Sequence, residues 1–246
     1  IRGCDVFLIQ PTCAPVNDHL MELLIMVDAC RRASARQITA VVPYYGYARA
    51  DRKTAGRESI TAKLTANLLV TSGVDRVLAM DLHSAQIQGY FDIPCDHIYG
   101  SPVLVDYLST QDMGDVVVVS RDDGGVARAR AFAKQMNDAP LAIIDKRRTG
   151  HNMAESLTVI GDVAGRTAIL IDDMIDTGGT ICAAAELLHR YDAKRIIIAT
   201  THGVFSGPAI DRIKNAPVET GTRGQAGAGL RHPRRLLSPR QRTPVR

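Results

Sequence analysis

Short apolar runs alternate with longer segments in which apolar residues recur at helical spacing, and this rhythm continues over most of the chain. The run Val116–Val119 has the length of a buried strand, and no polar residue interrupts it. The segment Asn17–Ala33 instead has helical periodicity. Its predicted buried face consists of Leu20, Leu23, Leu24 and Val27. Strands that alternate with helices in this way favour an α/β fold with mainly parallel sheets.

The same pattern gives bounds for the remaining elements. Strands are predicted at Asp5–Gln10 (buried), Ile38–Pro43, Val74–Met80, Val116–Val119, Leu141–Asp145, Leu157–Gly161, Ile169–Ile171 and Arg195–Thr200. Helices are predicted at Asn17–Ala33, Ser59–Ser72, Pro102–Ser109, Gly125–Gln135, Ile181–Arg190 and Pro208–Lys214. A polar stretch, Lys146–Glu155, is predicted as a loop.

The alternation restarts near Ser101 and fails after Val218, which suggests three regions. We predict an N-terminal domain over 1–100, a second domain over 101–218, and a disordered basic tail over 219–246. The chain opens at Ile1, directly before a strand, so we expect an N-terminal truncation, and the tail has an aberrant composition.

Charge is distributed unevenly. The chain has 30 basic and 26 acidic residues, a net charge of +4, but residues 219–246 hold seven Arg and one Glu. Residues 1–218 therefore hold 23 basic and 25 acidic residues, a net charge of −2. A mildly acidic body argues against a nucleic-acid partner. No apolar run approaches the length of a membrane span, so we expect no membrane partner.

The cysteines bear on the compartment. There are five of them, an odd number, scattered along the chain without paired metal-binding spacing. This pattern is typical of reduced thiols, which persist in reducing compartments, so we expect a cytoplasmic protein.

The segment Ile169–Thr180 is the most informative part of the chain. A buried strand is expected to end at Asp172 and Asp173, and the turn Asp176–Thr180 precedes a helix. Free N–H groups at a helix start, with glycines that permit close approach, form a phosphate cradle. The two carboxylates would repel phosphate, so they should face sugar hydroxyls or Mg²⁺. An ordinary strand–loop–helix corner is the alternative. The motif has the form of the phosphoribosyl-diphosphate loop of type I phosphoribosyltransferase-like folds.

Four further segments carry candidate chemistry. The loop Tyr45–Lys53 offers cations and aromatic rings that suit a polyphosphate with an attached base, or it is a solvated basic loop. His83 and Asp122 follow strand ends and could hold Mg²⁺, although a lone histidine is more often structural. Lys146-Arg147-Arg148 could close over a transferring phosphoryl group, or it is a surface charge run.

Together these segments resemble the ribose-phosphate pyrophosphokinases, also called phosphoribosyl-diphosphate synthases. The residues that carry the resemblance are Arg2–Val6, Pro43–Arg49, Asp81–His83, Ile87–Pro94, Gly124–Arg128, Asp145–Arg148 and Asp172–Thr180. The resemblance covers about residues 1–215 and implies two phosphoribosyltransferase-like (type I) domains, both incomplete.

The resemblance also implies an activity, namely transfer of the diphosphoryl group of ATP to ribose 5-phosphate. It implies Mg²⁺ as cofactor, phosphate and ADP as effectors, and a homo-oligomer. By resemblance, ribose 5-phosphate binds Asp172, Asp173, Asp176, Thr177, Gly178, Gly179 and Thr180. ATP binds Arg49, Asp51, Lys53 and His83. The metal binds His83 and Asp122, the catalytic cations are Lys146 and Arg148, and the regulatory positions are Arg57 and Asp96.

The chain departs from the family pattern at several positions. Ala50 stands where a Gln is usual, and Arg121 replaces the usual Pro before Asp122, which adds a charge beside the expected metal site. The first strands and the closing C-terminal elements of the family are not matched. We therefore expect weak activity or none. Two alternatives remain open here: a non-catalytic regulatory homologue, and a phosphoribosyltransferase that uses the diphosphate as substrate.

Overall fold

The computed structural model describes residues 1–147 and 156–219, and for Lys146, Arg147 and Ser156 it describes the backbone alone. The chain divides into two compact units. The first comprises Ile1–Leu104 with Asp173–Ile175 and Thr200–Val204, and the second comprises Val105–Asp172, Asp176–Ala199 and the residues from Phe205 onwards. The domain bounds 1–100 and 101–218 stay a prediction. The predicted tail beyond Glu219 lies outside the described residues.

The first unit is built on a four-stranded parallel sheet whose strands lie in chain order. The strands are β1 (Asp5–Ile9), β2 (Gln37–Val42), β3 (Arg76–Met80) and β4 (Cys95–Ile98). The helices are α1 (Val16–Arg32), α2 (Thr61–Ser72) and a 3₁₀ helix (Ala85–Tyr90), and α3 (Ser101–Ser109) follows β4.

Apolar periodicity explains the core of this unit. Helix α1 buries Leu20, Leu23, Val27 and Cys30, which recur at helical spacing. They pack with the central strands β2 and β3 in one hydrophobic cluster. The predicted face of α1 is confirmed, with Leu24 partly buried at its margin. Helix α2 ends where predicted, because Gly73 takes the left-handed conformation (φ 107°) that a helix C-terminus favours.

The prediction that the first strand is buried is wrong. Strand β1 lies at the edge of its sheet, and alternate side chains along it are exposed. Phe7 and Ile9 are 63% and 68% exposed. Successive side chains of a strand point to opposite faces of the sheet, so an edge strand can cover one face and leave the other exposed. Apolar composition alone does not show this.

The second unit holds most of a five-stranded sheet in the order β7-β6-β5-β8-β9, and the last residues of β8 and β9 (173–175 and 200–203) are grouped with the first unit. Its strands are β5 (Val116–Ser120), β6 (Leu141–Arg147), β7 (Ser156–Ile160), β8 (Thr167–Ile175) and β9 (Arg195–Gly203). Its helices are α4 (Val126–Gln135), α5 (Gly179–Arg190), α6 (Ala209–Asn215) and a 3₁₀ helix (Asp123–Gly125). Strands β6 and β8 pair with β5 in parallel, and β6 pairs with β7 antiparallel. The predicted mainly parallel α/β sheets are confirmed.

Three sequence predictions need correction. Strand β8 does not end at Asp172 but continues to Ile175, and all nine of its residues are buried. Strand β6 extends to Arg147, so Lys146 lies in a strand and not in the predicted loop. The prediction also missed β4 and the 3₁₀ helix before it, because four residues that include Asp96 and His97 have no apolar run. Among the described residues, no helix has the length and apolar character needed to span a membrane.

Candidate functional site

The connection between β8 and α5 forms a tight turn, which we call the phosphate turn (residues 176–180). Gly178 has a φ of 75° and is buried. A Cβ at this position would lie 3.3 Å from both the Cα and the carbonyl oxygen of Ala209. Both the left-handed backbone and this close approach of backbone to backbone therefore require glycine.

Contacts from the following segment hold the turn in place. The carbonyl oxygen of Asp176 accepts a hydrogen bond from Ser206 N–H (2.9 Å), and that of Thr177 accepts one from Arg212 Nη1 (3.0 Å). Thr177 and Thr180 are exposed. The first N–H groups of a helix have no intrahelical acceptor, and the helix dipole is positive there. The turn thus has the geometry of an anion site at the start of a twelve-residue helix.

Asp172, in β8, is a buried carboxylate with arginines on both sides. Its Oδ2 lies 3.1 Å from Nε of Arg121, and its Oδ1 lies 4.0 Å from Nη1 of Arg128. Only 6% of the Asp172 side chain is exposed. Because a buried charge needs a compensating charge, these arginines offset the cost of placing the Asp172 carboxylate within a buried strand.

Asp122 lies just beyond the end of β5 and caps the helical segment that follows it. Its Oδ1 accepts a hydrogen bond from Gly125 N–H (2.9 Å), and its Oδ2 accepts one from Arg121 Nη2 (2.8 Å). The buried Ser120 hydroxyl donates to the Asp122 carbonyl oxygen (2.7 Å). The predicted metal ligand therefore already has a structural role and a positive neighbour.

Asp173 and His83 form a carboxylate–histidine pair within the first unit. Nδ1 of His83 lies 2.8 Å from Oδ2 of Asp173, whose side chain is 3% exposed. A neutral His83 that donates from Nδ1 presents Nε2 as an acceptor, which is the arrangement of a metal-binding or phosphate-facing histidine. The sequence did not connect these two residues, which are 90 positions apart.

The turn after β3 is fixed by a buried carboxylate. Asp81 is 5% exposed, and its Oδ2 accepts hydrogen bonds from Gly100 N–H (2.8 Å) and from the Thr201 hydroxyl. One residue further, Leu82 N–H donates to Nε2 of His97 (3.0 Å). These contacts hold the backbone on which His83 is mounted.

The loop over residues 44–58 contains most of the predicted ATP-binding residues, and several hydrogen bonds hold it in place. Gly46 N–H donates to the Thr12 hydroxyl (2.7 Å), and the Tyr45 hydroxyl donates to the Ala62 carbonyl oxygen (3.0 Å). The Tyr90 hydroxyl donates to the Asp51 carbonyl oxygen. Arg49 and Lys53 are exposed, and Asp51 is half-buried. The loop is thus anchored through its backbone and presents its cations to solvent.

N–H groups within the loop also order its far end. The Glu58 carboxylate accepts hydrogen bonds from Thr54 N–H, Ala55 N–H and the Thr54 hydroxyl. These bonds, the one from Thr54 N–H foremost, lower the pKa of Glu58. Arg57, beside it, is exposed and has a left-handed backbone (φ 66°).

The remaining predicted residues are placed as follows. Asp96, on β4, pairs with Arg76 on the neighbouring β3 (2.7 Å). The backbone of Lys146 lies in β6, and Arg148 lies outside the described residues. Within the part of the chain that the structure describes, no three His, Cys, Asp or Glu side chains cluster as a metal site.

The sequence did not point to several residues that shape the site. Arg212 reaches the phosphate turn from 35 positions away, and Thr201 reaches Asp81 from 120 positions away. The sequence identifies Arg121 as an added charge but gives no sign of its contact with the buried Asp172. Such long-range contacts leave no periodic or local signal in a single sequence.

Comparison with known proteins assigns the two parts of the chain separately. Residues 1–73 match the family model of the N-terminal domain of ribose phosphate pyrophosphokinase. Residues 104–217 match the phosphoribosyl transferase domain.

Curated relatives and a solved structure extend this match. The ribose-phosphate pyrophosphokinase of Parasynechococcus marenigrum is 89% identical over 213 residues, 87% of this chain and 64% of that protein. That of Nostoc sp. is 73% identical over 219 residues, covering 89% and 66%. The chain thus spans a little less than two thirds of these curated relatives. The crystal structure of phosphoribosylpyrophosphate synthetase from Mycobacterium smegmatis matches with a TM-score of 0.83 and 50% identity, over 89% of this chain and 71% of that one. The predicted phosphoribosyltransferase-type α/β fold is confirmed.

Proposed function

The chain belongs to the ribose-phosphate pyrophosphokinase family, and on this premise we propose that it transfers the diphosphoryl group of ATP to ribose 5-phosphate. The products are phosphoribosyl diphosphate and AMP. The observation that carries the proposal is the phosphate turn, where Gly178 brings the start of α5 to a position that suits a phosphate group.

In this proposal, residues 176–180 bind the 5-phosphate. Backbone N–H groups of the phosphate turn donate to the phosphate oxygens, and the exposed hydroxyls of Thr177 and Thr180 add donors. Asp172 and Asp173 precede the turn in β8 and accept from the ribose hydroxyls. Carboxylates suit this role because they accept from hydroxyls and repel phosphate, which keeps the sugar in one orientation.

ATP is assigned to the first unit. Arg49 and Lys53, which the anchored loop presents to solvent, bind its phosphates, and Asp51 and His83 complete the set. Cations on a loop with a fixed backbone lose little conformational freedom on binding. The pair between His83 and Asp173 orients the imidazole for this contact.

The chemical step is an in-line displacement at phosphorus. The C1 hydroxyl oxygen of ribose 5-phosphate forms a bond to the β-phosphorus, and the bond from that phosphorus to the oxygen bridging to the α-phosphate breaks. AMP leaves with that oxygen, and the hydroxyl proton is released. Lys146 and Arg148 are proposed to neutralise the charge that develops on the transferred group.

Magnesium is the proposed cofactor. His83 fits this role, because a buried carboxylate holds its Nδ1, so that the ring can offer Nε2 to a metal ion. Asp122 fits this role less well, because Arg121 donates a hydrogen bond to its Oδ2. When bound, the metal would supply positive charge that screens the nucleotide phosphates.

Effectors, assembly and compartment complete the proposal. Phosphate and ADP as effectors at Arg57 and Asp96, and self-association, are supported by the family resemblance. A cytoplasmic location is supported by the cysteines, since all five are free thiols in the structure.

Product analysis by ³¹P NMR tests the function. The purified chain, incubated with ATP, Mg²⁺ and ribose 5-phosphate, should form AMP and phosphoribosyl diphosphate in equal amounts. Ribose in place of ribose 5-phosphate should give neither product. Asp176→Asn should slow the reaction. Asp162→Asn should not, because Asp162 is 72% exposed and pairs with Arg166, which precedes the start of β8, whereas the turn follows the end of that strand.

Other products would contradict the proposal. Formation of ADP would indicate an ordinary kinase. Release of pyrophosphate from phosphoribosyl diphosphate and a base, without ATP, would indicate a phosphoribosyltransferase. A chain that forms no product but alters the rate of an active relative would be a regulatory homologue.

A further inference from the structure

The side chain of Arg121 bridges two carboxylates at the end of β5, and we propose that it competes with a divalent cation for Asp122. Arg121 is thus an internal counter-ion that weakens metal binding at this position. The inference rests on the proposed function only in taking Asp122 as a metal ligand.

The geometry places one guanidinium against both acids. Nη2 of Arg121 lies 2.8 Å from Oδ2 of Asp122, and its Nε lies 3.1 Å from Oδ2 of Asp172. The Arg121 side chain is only 25% exposed. Its charge is therefore poorly screened by water and acts strongly on both neighbours.

Both carboxylate oxygens of Asp122 already accept a hydrogen bond, although 45% of its side chain is exposed. Its Oδ1 is directed at Gly125 N–H, as the cap of the following helical segment. Its Oδ2 is the oxygen that Arg121 holds. A divalent ion that binds Asp122 through either oxygen therefore displaces the guanidinium from Oδ2 or comes to lie near its positive charge, and either event is unfavourable.

The two contacts of Arg121 differ in kind. Nη2 donates a hydrogen bond to Asp122, whereas the buried Nε has no hydrogen-bond partner among the described residues. Its approach to Asp172 is thus an ion pair without hydrogen-bond alignment. The guanidinium is held near Asp172 by charge and near Asp122 by a directed bond, so the bond to Asp122 is the one that a metal ion at Oδ2 would break.

The test measures Mn²⁺ binding by electron paramagnetic resonance, with no nucleotide present. Arg121→Gln keeps one side-chain amide as a hydrogen-bond donor and removes the charge. We expect it to bind Mn²⁺ about tenfold more tightly than the unaltered chain, equivalent to about 1.4 kcal/mol. Arg121→Lys keeps the charge and should bind as weakly as the unaltered chain. The matched control is Arg166→Gln, since Arg166 is also 25% exposed and also pairs with two acids, Asp115 and Asp162, and it should change nothing.

A further variant shows where the metal binds. Asp122→Asn introduced into Arg121→Gln should abolish the gain in affinity. Equal Mn²⁺ affinity in the Gln variant and the unaltered chain, or an equal gain in the Lys variant, would overturn the inference. A gain that survives Asp122→Asn would overturn it as well.

A measurement on the unaltered chain guards against a variant that does not fold. The side-chain ¹H–¹⁵Nε resonance of Arg121 should shift saturably as Mg²⁺ is added, and that of Arg166 should not. An Arg121 resonance that does not respond would overturn the inference. None of these results depends on diphosphoryl transfer, so product analysis by NMR tests the proposed function separately.

Discussion

Replacement of Asp81 by Ala should destabilise the first unit by about 2–4 kcal/mol. The buried Gly100 N–H would lose its acceptor, and an unsatisfied buried donor costs about 1–3 kcal/mol. The partly buried Thr201 hydroxyl also loses its partner but can turn to water, so it adds less. Asp81 has a left-handed backbone (φ 42°), which Ala tolerates about 1 kcal/mol less well.

Urea denaturation followed by circular dichroism measures this change in the free energy of unfolding. Asp81→Asn keeps an acceptor and tolerates the left-handed backbone, so it should lose less than half as much stability as Asp81→Ala. Asp92→Ala is the control, because the Asp92 side chain is 83% exposed and makes only a distant ion pair with Lys63. If Asp81→Ala were as stable as Asp92→Ala, the idea that this carboxylate fixes the turn before His83 would be wrong.

Two further predictions concern the phosphate turn and the response to alkali. Gly178→Ala should lower the free energy of unfolding by about 1–3 kcal/mol and weaken the binding of ribose 5-phosphate. Gly114→Ala is the control, because Gly114 also has a left-handed backbone (φ 60°) but open space around it, so this variant should change stability alone. Equal affinities of the two variants for ribose 5-phosphate in calorimetry would contradict this prediction. Burial raises the pKa of Tyr45 above its ordinary value of about 10. As the pH rises, this hydroxyl therefore ionises in the unfolded chain before it ionises in the folded one. Above pH 10, Tyr45 should lower the free energy of unfolding by about 1.4 kcal/mol per pH unit. Tyr45→Phe should be about 1 kcal/mol less stable at pH 7, because it lacks the hydrogen bond to Ala62. Its free energy of unfolding, measured by urea titration, should fall less steeply above pH 10 than that of the unaltered chain. Parallel pH profiles for the two proteins would refute the assignment.

Local patterns were enough to predict most elements of the fold. Helix α1 was predictable because its buried residues recur at helical spacing, and the end of α2 was predictable because Gly73 favours a left-handed C-terminus. The burial of strand β1 was not predictable, because an apolar residue such as Phe7 gives the same sequence pattern in an exposed edge strand as in a buried central one.

The candidate site was predictable only in part, for a different reason. The residue types in the phosphate turn follow from local backbone requirements, so the sequence pointed to them. The predicted strand ends before Ile175 because acidic residues are rare within buried strands, so Asp172 and Asp173 indicate a strand end. Here they are tolerated because Arg121 and His83 pair with them, and both partners come from distant parts of the chain. Charge compensation of this kind cannot be read from spacing.

Isothermal titration of the purified chain with ribose 5-phosphate tests the central claim most directly, because that claim places a sugar phosphate at the start of α5. We predict one equivalent of binding, with ribose lacking the phosphate bound at least about tenfold more weakly, since charge-assisted hydrogen bonds from helix N–H groups carry the affinity. Equal affinity for ribose and ribose 5-phosphate, or no binding of either, would contradict the account.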